Sequence, residues 1–217
     1  ISKYFDAIIS VNNNLKEWSK SKLNCEKVFF LNNFAVFNNE SKITVLKEKG
    51  SYKIVHLAAF REQKDHEILI NAFHKFCVNN INWTLHLIGD AKNKRYSLKI
   101  IKLINNKKLN KKVFIYGACL DIKNILSQAH IGVLSSKSEG LPIALLEYGL
   151  AKLPVIVTDV GECNKVITNN ISGFLVKPNN TEKFASKLNI LANSEALRKS
   201  FGTEHYNNVT HNYSKEL

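Results

Sequence analysis

From Lys53 onward the chain alternates between apolar runs of strand length and stretches with helical spacing, and this alternation constrains its fold more than any other feature. KIVHLAAF (Lys53–Phe60), WTLHLIG (Trp83–Gly89), VFIYG (Val113–Gly117), IGVLSS (Ile131–Ser136), PVIVTDV (Pro154–Val160) and GFLV (Gly173–Val176) read as strands. Between them, ILINAFHKFCV (Ile68–Val78) places Leu69, Ala72, Phe73, Phe76 and Cys77 on one helical face. Further helices are expected over about Tyr96–Leu109, Ile122–Ala129, Leu141–Ala151 and Glu182–Ala192. Strands that are almost continuously apolar and alternate with helices predict an α/β fold, a Rossmann-like parallel sheet with helices on both faces. In such sheets ligands bind beyond the carboxyl ends of the strands, so chemistry is sought in the strand-to-helix turns.

The flanking segments are different. Residues 1–38 read as strand (Asp6–Val11), amphipathic helix around Leu15 and Trp18, and strand (Val28–Phe34), too little for a domain. Residues 39–52 are polar, end near Gly50 and suit a linker; residues 53–195 form the main domain, and residues 196–217 are expected to be a truncated C-terminal helix. The chain begins at Ile1 and holds no methionine, which reads as a fragment of a longer protein. No run approaches ~18 apolar residues, and Ile1–Ser10 has no signal-peptide pattern. Cys25, Cys77, Cys119 and Cys163 are far apart, so reduced thiols in a cytoplasmic setting are expected rather than a zinc or disulfide framework. The net charge of +13 suits a partner with phosphates, and equally an AT-rich coding sequence, since Lys, Asn and Ile are all abundant.

The segment SSKSEGLPIALLE, Ser135–Glu147, carries the most chemistry. It follows a buried-strand pattern and opens a helix. Gly140 lets backbone approach a ligand, and Pro142 fits a first helical turn. The free amides and dipole of that turn form an anion site. Glu139 and Glu147 flank it, better placed to accept sugar hydroxyls than to face phosphates. The bland alternatives are a Ser136-x-x-Glu139 capping box and a solvated Glu147. After the first strand, FREQKDH (Phe60–His66) puts Arg61 and Lys64 at a carboxyl edge, where two cations could hold a diphosphate; a solvated loop is the plainer reading.

SEGLPIALLE resembles the Glu–seven residues–Glu motif of family 4 glycosyltransferases. The succession AAFREQKDHEILINAF, LHLIGD, VFIYG, VLSSKSEGLPIALLEYGLAKLPVIVTDVGE and NNISGFLV is similar to that family's donor domain over about Lys53–Ala192. DAIISVNNNLKEW and FFLNNF resemble the end of its first domain. The resemblance implies a GT-B fold of two facing Rossmann-like domains, and a retaining transfer of sugar from a nucleoside diphosphate to an acceptor hydroxyl. It implies catalytic roles for Glu139 near the reacting carbon, for Lys64 on phosphate and for Arg61. Donor-binding roles fall to Glu147 on the ribose, to Gly140, Leu141 and Pro142 against diphosphate and sugar, to Gly117 and Ala118 where the base edge is read, and also to Ile143 and Gly89. Neither a metal nor another cofactor is expected. The implied partners are the nucleotide sugar and a glycan or lipid-linked acceptor held by the other domain. Cell-surface polysaccharide assembly, with peripheral contact at the inner membrane face, is a family-level expectation. The sequence departs from the pattern at Ala59, where the family arginine falls, at Ala91 and at Lys165.

Three other readings compete. A dehydrogenase lacks support because no G-x-G-x-x-G follows the first strand. A nucleotide binder without catalytic activity fits the same motifs. A polyanion or anionic-surface module rests on Lys92–Lys112, with nine Lys/Arg and no acid around the helical stripe Tyr96, Ile100, Ile101 and Ile104; nucleic acid is not the expected partner.

Overall fold

The computed structural model describes residues 6–11, 13–23, 27–31, 33–37 and 44–213. Cys25, the linker residues 39–43 and the last four residues lie outside that set. The leading segment forms β1 (Ile8–Ser10), α1 (Asn13–Leu23) and β2 (Val28–Phe30), with β1 and β2 paired in parallel. The main body follows as β3 (Tyr52–Leu57), α2 (His66–Cys77), β4 (Trp83–Ile88), α3 (Lys94–Asn106), β5 (Val113–Gly117), α4 (Ile122–Ser127), β6 (Ile131–Leu134), α5 (Ile143–Leu150), β7 (Val155–Thr158), α6 (Cys163–Val166), β8 (Gly173–Val176), α7 (Thr181–Ala192) and α8 (Glu195–Asn212).

The six strands of the main body form one parallel sheet in the order β5-β4-β3-β6-β7-β8. Counted within this sheet the order is 3-2-1-4-5-6, the doubly wound arrangement, so the Rossmann-like expectation holds. Successive side chains of a strand face opposite sides. Ile54, Leu85, Leu87, Val133 and Ile156 therefore pack with α2, α3 and α7, while Val55, Leu134, Val155 and Val157 pack with α4, α5 and α8. Burial on both faces explains why the strands read as unbroken apolar runs rather than alternating ones.

Element boundaries shift by a few residues from the sequence reading. Ala58–Phe60, Ser135–Ser136 and Asp159–Val160 read as strand in the sequence but belong to carboxyl-edge loops, because an apolar run does not stop where a ladder stops. Tyr52, expected in the linker, is the first residue of β3. Residues 44–51 are strapped to the sheet. Leu46 is buried, its amide donates to Gln128 Oε1 at 3.0 Å, and Thr44 Oγ1 donates to Asp121 at 2.7 Å. The last helix is part of the same core: Phe201 meets Phe174 edge-on at 5.1 Å, and buried Arg198 donates to the end carbonyls of α7 at 2.7 and 2.9 Å. Farther along, Val209 packs on the opposite face, so α8 passes from one side of the sheet to the other.

Four histidines are buried in this body: His56, His66, His86 and His205. Burial, reinforced by the charge of Lys64, brings His66 down to about 4. Burial alone sets the direction for His205, at about 4, and burial with nearby Lys53 brings His86 to about 3. His56 is also held well below its usual range, first by burial and then by His66. A ring kept neutral when folded takes up a proton on unfolding at any pH between its folded value and its unfolded value of ~6.5. Stability to urea is therefore expected to fall as pH drops from about 6.5 towards 4. Each such histidine contributes about 1.4 kcal/mol per pH unit within its window. A urea midpoint that stayed flat across that interval would contradict the buried, neutral assignment.

Candidate functional site

The strands β3 and β6 are neighbours, yet β3 leads to a helix on one face and β6 to a helix on the other. Their outgoing loops part, and a crevice opens between them. Their ladder is short, covering Ile54↔Ile131 and Val55↔Gly132. Beyond it the Tyr148 side chain of α5 enters the gap. Its hydroxyl accepts from the Leu57 amide at 2.7 Å and lies 3.2 Å from the carbonyls of Val55 and Val133. The ring passes over Gly132, where a Cβ would lie 2.7 Å from Tyr148. A tyrosine hydroxyl thus supplies the hydrogen bonds that the diverging strands no longer give each other.

Two loops meet above this wedge. After β3 a single turn of 3-10 helix, Glu62–Lys64, leads to Asp65, which adopts a left-handed conformation (φ 46°) and caps α2. The turn points Lys64 inward. Its Nζ lies 2.6 and 2.9 Å from the two carboxylate oxygens of Glu139, in the loop after β6. Ser136 Oγ donates to the same carboxylate at 2.5 Å. The Glu139 side chain is 6% exposed, so its charge is compensated within the protein. Backbone bonds fix the loops to each other: Lys137 N donates to Gln63 O at 2.8 Å, and Ser135 Oγ donates to Lys64 O at 2.9 Å. From the next loop, Glu162 N donates to Gly140 O at 3.0 Å. Gly161 has φ +57°, and a Cβ there would sit 2.0 Å from the Glu139 carbonyl. Only glycine permits that approach.

The helix expected to start at Leu141 starts at Ile143, and Pro142 is its extended N-cap (φ −75°, ψ 120°) rather than a first-turn residue. Leu141 is buried and its carbonyl accepts from Asn33 Nδ2 at 2.8 Å, and proline disfavours helical geometry in the residue before it. No side chain caps α5, and Leu145 N donates to Pro142 O at 3.0 Å, so the Ile143 and Ala144 amides are the ones that face an anion. Ser136 and Glu139 do bond to each other, but no helix begins there, so the pair is not a capping box. Glu147, one turn into α5, is half-buried; burial raises its pKa, and its carboxylate has no hydrogen-bond partner among the described residues. Ile143 is half-exposed at the helix entrance.

The remaining sequence candidates fall along the same carboxyl edge. Gly89 directly follows β4 and Gly117 ends β5, joined by Gly89 N donating to Gly117 O at 2.7 Å, with Ala118 exposed beside them. The smallness of Gly89 has a structural cause, since a Cβ there would lie 2.0 Å from the Ala58 carbonyl. Arg61 is exposed, and its side chain makes no hydrogen bond or ion pair among the described residues. It lies outside the Lys64–Glu139 cluster, as the N-cap of the 3-10 turn whose last residue is Lys64. Sequence reading paired Ser136 with Glu139 only as a helix cap, and it missed Asn33 and Tyr148. The serine was visible three residues before Glu139, whereas the other two act across long separations and left no local signal.

A groove of about 490 Å³ lies over the cluster, with Leu15 and Trp18 of α1 on one wall and Gln63, Ser138, Glu139, Gly140, Gly161 and Glu162 on the other. Among the described residues no three His, Cys, Asp or Glu side chains converge as a metal-binding group.

A family model described as "Glycosyl transferases group 1" matches residues 37–208. The chain is 26% identical over 198 residues to the poly(ribitol-phosphate) alpha-N-acetylglucosaminyltransferase of Staphylococcus aureus, covering 90% of this chain and 38% of that protein. It is 23% identical over 215 residues to the amylovoran biosynthesis glycosyltransferase AmsD of Erwinia amylovora, covering 98% and 59%. The chain thus spans less than two thirds of the length of each of these relatives. In structure it is similar to Anabaena HepE solved with UDP-glucose, at TM-score 0.85 and 16% identity over 98% of this chain and 61% of that one. It also matches the C-terminal domain of the group 1 protein LpcC from Francisella tularensis, at TM-score 0.71 and 25% identity over 76% and 87%. The fold is that of one half of a GT-B protein.

Tyr148→Phe tests the wedge. It leaves the buried Leu57 amide without its acceptor, at a cost of about 1–3 kcal/mol. Thermal unfolding is expected to drop by several degrees, at about 2–4 °C per kcal/mol for a chain of this size. An unchanged midpoint would mean that the hydroxyl does not hold the two strands.

Proposed function

Because the chain belongs to the group 1 glycosyl transferases, we propose that it is the donor-binding half of an enzyme that moves a sugar from a nucleoside diphosphate to an acceptor hydroxyl. The observation that carries this reading is the Lys64–Glu139 pair at the switch point, beside the uncapped amino end of α5. In this reading the diphosphate rests on the amides at Ile143 and Ala144, and Gly140 gives it room. Lys64 has three ammonium protons, so it can keep one contact with Glu139 and offer another to phosphate. Glu139 turns its second oxygen to a hydroxyl of the transferred sugar. Glu147, with no hydrogen-bond partner among the described residues, receives the ribose hydroxyls. Gly89, Gly117 and Ala118 border the base. UDP-glucose bound by HepE supports a uridine nucleotide as the first donor to try.

The chemistry follows from charge. When the sugar–phosphate bond breaks, positive character develops on the sugar ring and negative charge on the leaving diphosphate. Lys64 and the α5 amides face the leaving group, and Glu139 stays beside the ring. Preorganised groups of this kind can be worth ~3–4 kcal/mol each in the transition state. The reaction proposed is the retaining, family 4 type, with counter-charge supplied by the protein. Arg61 is free to swing towards the phosphates from its exposed position. The acceptor, a glycan or lipid-linked saccharide in surface polysaccharide assembly, would be held by the other half of the protein. The names of the Staphylococcus and Erwinia relatives support that setting.

In the whole protein, Lys64→Ala is expected to lower turnover ~100-fold or more. Normal turnover would remove Lys64 from the mechanism. Glu147→Ala is expected to weaken binding of the bare nucleotide about tenfold, the equivalent of ~1.4 kcal/mol from lost ribose hydrogen bonds. Calorimetric titration reads this directly, and unchanged affinity would place the ribose elsewhere.

A further inference from the structure

The helix α3 presents two faces of different character. Tyr96, Ser97, Ile100 and Ile104 are buried against the sheet. The opposite face carries Lys94, Arg95 and Lys102, all exposed, and among them Leu98 at 66% and Ile101 at 41% exposed. Positions 94, 98, 101, 102 and 105 recur at intervals of three and four and share one side of the helix. A solvated basic face accounts for the lysines but not for the two large aliphatic side chains between them.

The charges on this face are not consumed by the protein. Lys99 pairs with Glu67 on the side towards α2, and Lys92 pairs with Asp90. Lys94, Arg95 and Lys102 make no ion pair among the described residues, and no acid occurs from Lys92 to Lys112. At the far end of the helix, Lys112 donates to the carbonyl of Ile81, which is itself 70% exposed, so basic and apolar side chains adjoin there too.

We propose that this outer face of α3 docks the protein on an anionic lipid bilayer, with Leu98 and Ile101 entering the headgroup boundary and Lys94, Arg95 and Lys102 contacting acidic headgroups. Charge complementarity selects an anionic partner. The aliphatic pair selects a bilayer over a nucleic acid or other polyanion, because only a bilayer offers an apolar phase for them. No helix among the described residues is long and apolar enough to cross a membrane, so the contact is peripheral. The carboxyl edge stays open, because α3 runs from that edge towards the amino edge along one side of the sheet.

The test is flotation of the whole protein with vesicles of phosphatidylglycerol and phosphatidylcholine in equal parts, against phosphatidylcholine alone. Binding is expected to the anionic vesicles only, falling at least tenfold in 0.5 M salt. Leu98→Ser with Ile101→Ser is expected to reduce vesicle binding about tenfold, and Lys94→Glu with Lys102→Glu to abolish it. Unfolding midpoint and nucleotide affinity should not change in either variant, which separates this result from misfolding. The proposal is overturned by absence of binding to anionic vesicles, or by wild-type binding in either folded variant. Binding to heparin or RNA that the serine variant retains, while vesicles fail to bind, would assign the face to a polyanion instead.

Discussion

The ion pair between Lys64 and Glu139 joins the two halves of the doubly wound sheet at the one place where its winding reverses. Every other feature of the site is arranged around it. Tyr148 holds the strands beneath apart without leaving a bare amide. Gly161 lets a third loop press against the Glu139 carbonyl, and Ser136 takes the carboxylate from the side. A buried carboxylate with one cation and one hydroxyl has a fixed position, and a fixed position is what a reacting group requires.

This placement also explains the division between the two carboxylates of the motif. Glu139 is neutralised by the protein, so it does not repel a nearby diphosphate. Glu147 is half-buried and without a hydrogen-bond partner among the described residues, and burial raises its pKa. A ligand bringing hydroxyls would supply the missing hydrogen bonds. The same motif thus contains one acid satisfied by the fold and one left for something bound.

Much of this was legible in the sequence because it is local. Continuous apolar strands, helical periodicity and the Ser135–Glu147 segment all announced the sheet, its carboxyl edge and the helix entrance. The contacts that define the site were not legible, because they join positions such as 64 and 139, 57 and 148, or 33 and 141, that no spacing connects. Arg61 shows the limit from the other side. A cation three residues from Lys64 looked equivalent in sequence, yet Lys64 pairs with Glu139 while Arg61 makes no ion pair among the described residues. The start of α5 shifted for a related reason: Leu141 is held by Asn33 from a segment more than a hundred residues away.

The most direct test of the account is a crystal structure of the chain soaked with a uridine nucleotide sugar. The account predicts the pyrophosphate on the amides of Ile143 and Ala144, the ribose on Glu147, and the hexose against Glu139 with Lys64 still in contact. Density for the nucleotide anywhere away from the β3–β6 crevice, or at that crevice with Glu147 turned to solvent, would contradict it.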